Sequence, residues 1–343
     1  LDDTVVADGT LSIPVESAQL KTRYSYLQDL LTRSAATYRQ RPPLLKTFVS
    51  MEIIIYLVAF GLLAVFPNLP RGLVGFASFL LLLVTSMPLA LLLLPVLGPS
   101  GVVPGFFYTL IMALLLTSIT WSLVPRTEDR FGVICGLTAL SLVIDTLLGG
   151  PLVKFSPLGY DVMLGARFYG IGNEYMGILI GSSLLAALVV RARRPPAVGL
   201  VLLWFLAVLI VLASPNLGAN AGGTITALIA FPLAYGLGNR GRGRLTIAIL
   251  VLGSLSVTVL LNLFPSFGAG SHVTRALRLV VLRNWSEISA IIQRKLAMNL
   301  KLMRYSIWSK GLLVALGVMG ILIYRPTPVV HTAMKEHPSL QGI

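Results

Sequence analysis

Residues that bind metals or form disulfides are scarce in this sequence. Its 343 residues contain one cysteine, Cys135, and three histidines. A single cysteine cannot form an internal disulfide, and the histidines do not have the spacing of zinc ligands. The sequence also lacks a complete dinucleotide-binding glycine motif, a phosphate-binding Lys-Ser/Thr loop and a Gly-x-Ser-x-Gly elbow. It therefore predicts no metal and no cofactor.

Charged residues are also scarce, and long apolar runs take their place. Only 12% of the residues are charged and 56% are hydrophobic, with a mean hydropathy of +0.86. Soluble domains contain roughly 25% charged residues. Apolar runs near the ~20 residues needed to cross a hydrocarbon layer recur along the chain. The sequence predicts an all-α polytopic membrane protein with about nine transmembrane helices, at approximately 47–66, 73–94, 102–124, 131–148, 171–190, 197–213, 223–237, 245–264 and 307–324.

Basic residues in alternate loops orient these predicted spans, because positively charged short loops stay on the cytoplasmic side. The loops that follow the first, third, fifth and seventh spans carry Arg71, Arg126, Arg130, Arg191, Arg193, Arg194, Arg240, Arg242 and Arg244. The other short loops carry only Lys154 and Arg167. We therefore expect a protein of the bacterial cytoplasmic membrane with its N-terminus outside the cell and its C-terminus in the cytoplasm.

The predicted organisation is one membrane domain with polar ends. Residues 1–46 form a polar extracytoplasmic segment, residues 47–324 the transmembrane domain, and residues 325–343 a cytoplasmic tail. A helix over 26–39 is expected to end at Pro42 and Pro43. An extracytoplasmic N-terminus without an apolar signal sequence also predicts further chain upstream.

One predicted helix within the domain, at 272–304, is amphipathic and basic. Its apolar residues recur at steps of three or four, so they share one face, and the helix is expected to lie in the membrane surface. Together with the cytoplasmic anchors it accounts for most of the net charge of +14. Membrane lipids are therefore the expected partners, and no nucleic-acid partner is needed.

A polar stretch between predicted spans is the strongest candidate for a functional site. It contains Asp145 and continues through 165–177, where an ionisable residue at membrane depth costs roughly 2.5–3.5 kcal/mol. Arg167 and Glu174 are seven residues apart and could form a structural ion pair. Alternatively, Arg167 binds a phosphate or carboxylate with help from Lys154, and Glu174 or Asp145 accepts a proton.

Other side chains near this stretch suit a polar ligand. Tyr169 and Asn173 belong to it and add a hydroxyl and an amide. His272, next to Arg275 at the start of the amphipathic helix, is a weaker candidate for a general base. Catalytic candidates are thus Glu174, Asp145 and His272, and the binding candidates include Arg275.

Two outer connections, 156–159 and 214–224, share serine, proline and glycine, and the second also contains asparagine. They precede the fifth and seventh spans, whose N-termini would both point outward with free backbone N–H groups. Such N-termini bind anions. Asn216 and Asn220 would supply hydrogen bonds, and Gly222 and Gly223 would let a ligand approach the backbone. The alternative is tight helix crossing through small residues.

These residues resemble a family. The run Gly-Ala-Arg-Phe-Tyr-Gly-Ile-Gly-Asn-Glu at 165–174, the Asn-Ala-Gly-Gly at 220–223 and the Arg-Pro-Pro at 41–43 are similar to bacterial multi-pass membrane proteins. In those proteins the membrane region follows an extracytoplasmic domain of the alkaline-phosphatase type. The resemblance covers about 27–324 and implies a phosphatase-like partner domain upstream, whose metal ligands and nucleophile are not among these residues.

Four functions are compatible with these patterns. The favoured hypothesis is a membrane module that binds a lipid-linked or anionic substrate at an outer-leaflet site for an extracytoplasmic catalytic domain. The alternatives are a self-contained transporter or flippase, a membrane-embedded glycosyl or phosphoryl transferase, and an anchor whose buried charges only hold helices together.

Overall fold

The described residues fold mainly into helices, joined by short connections. The computed structural model describes residues 17–65, 70–160, 163, 169–193, 198–237, 252 and 285–324. Short 3₁₀ turns lie at Leu94–Leu97 and Val153–Phe155. The α-helices, in chain order, are α1 (Ser17–Val65), α2 (Arg71–Leu93), α3 (Val102–Leu123), α4 (Thr127–Leu147), α5 (Asn173–Arg193), α6 (Val198–Ala213), α7 (Ala221–Leu237), α8 (Trp285–Tyr305) and α9 (Ile307–Tyr324).

Five of these helices, α1 to α5, are long and apolar enough to cross a membrane. Helices α6, α7 and α9 contain shorter apolar stretches, at Gly199–Ala213, Ala221–Tyr235 and Ile307–Ile321. The span expected at 245–264 lies outside the described residues. The all-helical architecture is therefore confirmed, and the count of nine spans stays a prediction.

Helix α1 does not end at the two prolines. It runs for 49 residues and includes both Pro42 and Pro43, so the expectation that they terminate a helix over 26–39 is wrong. Each proline removes one intrahelical hydrogen bond. The turn that follows them compensates by burying Leu44 and Leu45 in the core. The boundary expected at residue 46 therefore falls inside a continuous helix.

The length of α1 places much of it beyond the bundle. At 1.5 Å per residue, 49 residues extend for roughly 74 Å, more than twice the thickness of a hydrocarbon layer. Residues 21–29 are all exposed, whereas Phe48 and Val49 are buried. The first part of α1 thus projects from the bundle, and the second part packs within it.

The core forms where α2, α4 and α5 pack together, with α3 and α1 against α2. Leu82 and Leu92 of α2, Leu142 of α4 and Leu179 of α5 are fully buried. Between α4 and α5 the contact is close, because a β-carbon at Gly132 would lie 2.7 Å from Val189 Cγ1. Small residues at such crossings let helices approach one another.

Helices α8 and α9 occupy the side of α1. The Trp308 ring of α9 packs edge to face on Phe48, with centroids 6.1 Å apart. Helix α8 has no buried residue, and Ile292 and Leu296 are exposed on its apolar face. It covers the last part of the amphipathic helix expected at 272–304. Residues 272–284 lie outside the described residues.

Candidate functional site

The carboxylate of Glu174 pairs with Arg41. Arg41 Nη2 lies 3.0 Å from Glu174 Oε1, and the two side chains are 19% and 25% exposed. Arg41 Nη1 also donates a hydrogen bond to the carbonyl oxygen of Gly159. The pair therefore joins α1 to the start of α5 and to the connection before it. Arg167, the partner expected from the sequence, lies outside the described residues.

Arg41 is the last of three α1 residues that reach this connection. Arg33, Thr37 and Arg41 are spaced by four residues and so share one helix face. Thr37 Oγ1 donates to the carbonyl oxygen of Phe155 at 2.9 Å, and the Arg33 guanidinium carbon lies 5.8 Å from the centre of the Phe155 ring. The α1 face thus contacts the α4–α5 connection at three successive turns.

Gly159 is required by the path of this connection. A β-carbon there would collide with the carbonyl oxygen of Val153. Ser156, three residues earlier, donates from Oγ to the carbonyl oxygen of Leu91 at 2.8 Å, and its Oγ lies 2.6 Å from Tyr175 Oη. Tyr175 is fully buried. The connection is therefore hydrogen-bonded to α2 through Leu91 and to α5 through Tyr175.

Asp145 is part of the same scaffold. It is buried near the end of α4, and its two carboxylate oxygens accept hydrogen bonds from the backbone N–H groups of Leu152 and Val153, at 2.8 and 2.9 Å. Backbone donors stabilise an ionised carboxylate. In this arrangement Asp145 positions the 3₁₀ turn, and each oxygen that was considered as a proton acceptor already has a donor.

The starts of α5 and α7 lie side by side. Ile171 N donates to the carbonyl oxygen of Gly218 at 2.8 Å, and Asn220 Nδ2 donates to the carbonyl oxygen of Ile171 at 3.0 Å. Asn220 Oδ1 accepts from Gly223 N at 2.8 Å, as an N-cap residue does. Asn220 Nδ2 also lies 3.4 Å from Asn173 Oδ1. The connection before α7 therefore meets the chain that enters α5.

Glycines make this close approach possible. Gly170 has a φ of +77°, and a β-carbon there would collide with the carbonyl oxygen of Gly218. At Gly223 a β-carbon would collide with the side chain of Met176 on α5. The alternative reading of these residues, tight crossing through small side chains, thus describes Gly223 well. Gly222 is exposed and has space around it.

We call the assembly of Arg41, segment 150–160 and the starts of α5 and α7 the polar end. Asn173 and Asn216 are exposed there, and Tyr169 is 61% exposed. Lys154 Nζ lies 5.6 Å from the centre of the Phe155 ring, and the Arg33 guanidinium carbon lies 5.8 Å from the same centre. His272 and Arg275 fall outside the described residues.

Sequence reasoning did not include Arg41 in the site. Its signal was present, because an arginine directly before a long apolar run needs a counter-ion or a water-exposed position. Ser156 and Tyr175 lie in segments that the sequence did single out, but the contacts they make were not foreseen. Both are anchored by hydrogen bonds between distant segments, which local patterns do not reveal.

The polar end can hold a ligand with both anionic and hydroxyl groups. Arg41 presents a guanidinium in a fixed position, Glu174 a carboxylate acceptor, and Asn173 an exposed amide. Among the described residues no group of three or more histidine, cysteine, aspartate or glutamate side chains could hold a metal ion. The arrangement therefore favours binding through hydrogen bonds and charge.

The fold and site define a class, that of helical proteins with several helices long and apolar enough to cross a membrane. Comparison of the chain with known protein families, curated proteins and solved structures finds no match.

Proposed function

We propose that the chain is the membrane module of a bacterial envelope protein, and that its polar end binds the anionic group of a lipid-linked substrate for an extracytoplasmic catalytic domain. The partly exposed Arg41–Glu174 pair at the joined starts of α5 and α7 carries this proposal. Bringing two charges out of water costs desolvation energy that can cancel their attraction. Stability alone therefore does not explain this pair, and a role in binding does.

The electrostatics of the polar end favour an anion. Two helix N-termini meet there, and each contributes a partial positive charge and backbone N–H groups. Because Glu174 neutralises Arg41, the pair itself is not a strong anion trap. It fixes the guanidinium, whose remaining N–H groups can then bind an oxyanion in a defined geometry.

The arginines at the other end of the bundle indicate which side of the membrane the polar end faces. Arg71, Arg126, Arg130 and Arg191 lie at the ends of α2 to α5 that are remote from the polar end. By the positive-inside tendency, those ends face the cytoplasm and the polar end faces outward. The exposed first part of α1 then projects on the same outer side, where it would support a catalytic domain above the site.

The alternative functions have less support. A proton-coupled transporter would use Asp145 or Glu174, but the Asp145 oxygens accept two backbone hydrogen bonds and Glu174 lies at the end of a helix. A transferase would use Glu174 as a base. Product formation by this chain alone, lost in Glu174→Gln, would favour the transferase over a binding module.

The direct test measures lipid retention. The protein is purified in nanodiscs that contain a polyprenyl phosphate or the corresponding polyprenol, and the bound lipid is quantified. We expect preference for the phosphate, reduced about tenfold or more in Arg41→Ala, because a charge-assisted contact contributes roughly 1.5–3 kcal/mol. Asn173→Ala, which leaves the ion pair intact, should reduce it less.

Arg71→Ala is the matched control, since Arg71 is exposed and belongs to the start of α2 at the other end. It should retain the lipid as the unmodified protein does. Equal retention of polyprenol and polyprenyl phosphate, or unchanged retention in both Arg41→Ala and Asn173→Ala, would refute the proposal.

A further inference from the structure

A second feature of the outer side is a groove between α1 and the α2–α3 connection. Its α1 wall includes Arg33, Thr37 and Gln40, its other wall includes Leu94 and Pro95, and Phe155 lies between them. Gln40 is buried, and its Nε2 donates to the carbonyl oxygens of Ser100 and Gly101 and to Ser100 Oγ, at 2.7, 3.1 and 2.8 Å. The walls are therefore held together, and the groove is built into the fold.

Two cations lie near the aromatic ring of this groove: Arg33, which lines it, and Lys154, the chain neighbour of Phe155. The Lys154 ammonium and the Arg33 guanidinium lie 5.6 and 5.8 Å from the centre of the Phe155 ring. Arg33 is paired with Asp29 at 2.9 Å, and this pair is largely exposed. Within the described ranges, no carboxylate lies within 4.0 Å of Lys154. Arg33, Asp29 and Lys154, in and beside the groove, thus carry one net positive charge.

Apolar side chains continue from the cationic part of the groove. Val96 and Leu97, which directly follow the lining residues Leu94 and Pro95, are 67% and 52% exposed. Leu94 itself is buried. In a helical membrane protein, exposed aliphatic side chains at the end of a span face acyl chains, and nearby basic residues contact lipid phosphates. Positive charge and apolar surface therefore lie next to each other, in positions that complement the phosphate and the acyl chain of an anionic lipid.

We propose that this groove binds one anionic phospholipid, with its phosphate between Lys154 and Arg33 and an acyl chain along Val96 and Leu97. This lipid is an ordinary membrane component, so the inference goes beyond the proposed substrate site. The groove and the polar end are neighbours, because Thr37, which lines the groove, and Arg41, which belongs to the polar end, lie one helical turn apart on α1. The bound lipid would thus stabilise the segment 150–160 that Arg41 also contacts.

The test uses the intact chain in nanodiscs of mixed phosphatidylglycerol and phosphatidylcholine, released into native mass spectrometry. We expect one retained phosphatidylglycerol in preference to phosphatidylcholine. Lys154→Gln and Arg33→Gln should each reduce its retention about tenfold, as expected for loss of a charge-assisted contact. Arg71→Gln, an exposed arginine at the other end, should have no effect. Unchanged retention in both Lys154→Gln and Arg33→Gln would overturn the proposal.

A second arm distinguishes a lipid from a free phosphate. The double variant Val96→Ser and Leu97→Ser keeps both cations and removes the apolar surface. It should retain less phosphatidylglycerol, and glycerol 3-phosphate at millimolar concentration should not displace the lipid from the unmodified protein. Displacement by glycerol 3-phosphate, with no loss in the double variant, would show that the groove binds phosphate alone and would overturn the lipid assignment.

Discussion

The two ends of the bundle use their charged residues differently. At the polar end, hydrogen bonds join elements that are far apart in sequence, such as Arg41 with Glu174 and Ser156 with Leu91. At the opposite end, Arg130 donates to the carbonyl oxygens of Val124 and Trp121 nearby in the chain, at 2.7 and 3.2 Å. The guanidinium of Arg130 also stacks 3.7 Å from the centre of the Trp121 ring.

Under the function we propose, this difference corresponds to anchoring at one end and ligand binding at the other. Arg130 lies near the C-terminus of α3, and Arg191 of α5 donates to the carbonyl oxygen of Tyr235 at 2.9 Å. Cations are favourable at helix C-termini, where carbonyl groups lack intrahelical partners. At the opposite end, Arg130 and Arg191 therefore find their partners in backbone carbonyls. The polar end instead uses a carboxylate and places helix N-termini beside it, an arrangement that leaves capacity for a ligand.

The largest expected effect comes from breaking the scaffold of the polar end. Gly159→Ala should destabilise the protein by about 3 kcal/mol or more, because the added β-carbon collides with the Val153 carbonyl oxygen. Thermal unfolding in detergent measures the change. Gly177→Ala is the matched control, since nothing lies within 4 Å of its β-carbon in α5, and it should be neutral or stabilising. Equal effects of the two substitutions would contradict this account.

The next effect is expected at Asp145. Asp145→Asn should cost about 2 kcal/mol, because the amide nitrogen cannot accept one of the two backbone hydrogen bonds. The exposed Asp29→Asn is the control and should change stability by less than about 0.5 kcal/mol. If Asp145→Asn kept full stability and instead abolished a pH-driven flux, Asp145 would be a coupling group and the transporter would gain support.

A smaller effect measures the central ion pair. A double-mutant cycle with Arg41→Gln and Glu174→Gln should give a coupling energy of about 1–2 kcal/mol, since the pair is mostly buried. The cycle for Arg33 and Asp29, which are exposed and one turn apart, should give less than about 0.5 kcal/mol. Similar coupling energies in both pairs would mean that burial at the polar end does not strengthen the ion pair.

The smallest effect is expected at the opposite end. Arg130→Lys keeps the charge but loses the planar group that contacts two carbonyl oxygens and the Trp121 ring, so it should cost less than about 1 kcal/mol. Its retention of polyprenyl phosphate should match that of the unmodified protein. A loss of retention as large as that of Arg41→Ala would remove the distinction between the two ends.

Local patterns were sufficient for the helices but only partly for the site. Apolar runs bounded by polar residues predicted α2 to α5 closely, because length and hydropathy decide what crosses a membrane. That α5 and α7 start at the same end of the bundle also followed from alternating helix directions. Continuation of α1 through Pro42 and Pro43 did not, since it depends on burial of Leu44 and Leu45 by other helices.

The hydrogen-bond and ion-pair partners of the charged side chains could not be predicted from the sequence. Arg41 and Glu174 are separated by 133 positions, and the sequence around either residue does not predict contact with the other. Spacing along one helix suggested Arg167 instead, because residues seven apart can share a face. Asp145 was similarly predicted to be a proton acceptor, with no partner named for it. Only the fold shows that the backbone N–H groups of Leu152 and Val153 turn back toward it.

The most direct test of the central claim is photocrosslinking of a labelled polyprenyl phosphate from each end of the bundle. A benzophenone amino acid replaces Asn173 at the polar end or Arg71 at the opposite end, both of which are exposed. We predict that labelling from position 173 is strong and is competed by unlabelled polyprenyl phosphate but not by polyprenol, while labelling from position 71 is weak and is not competed. Equal labelling from both positions, or competition by polyprenol, would contradict a binding site at the polar end.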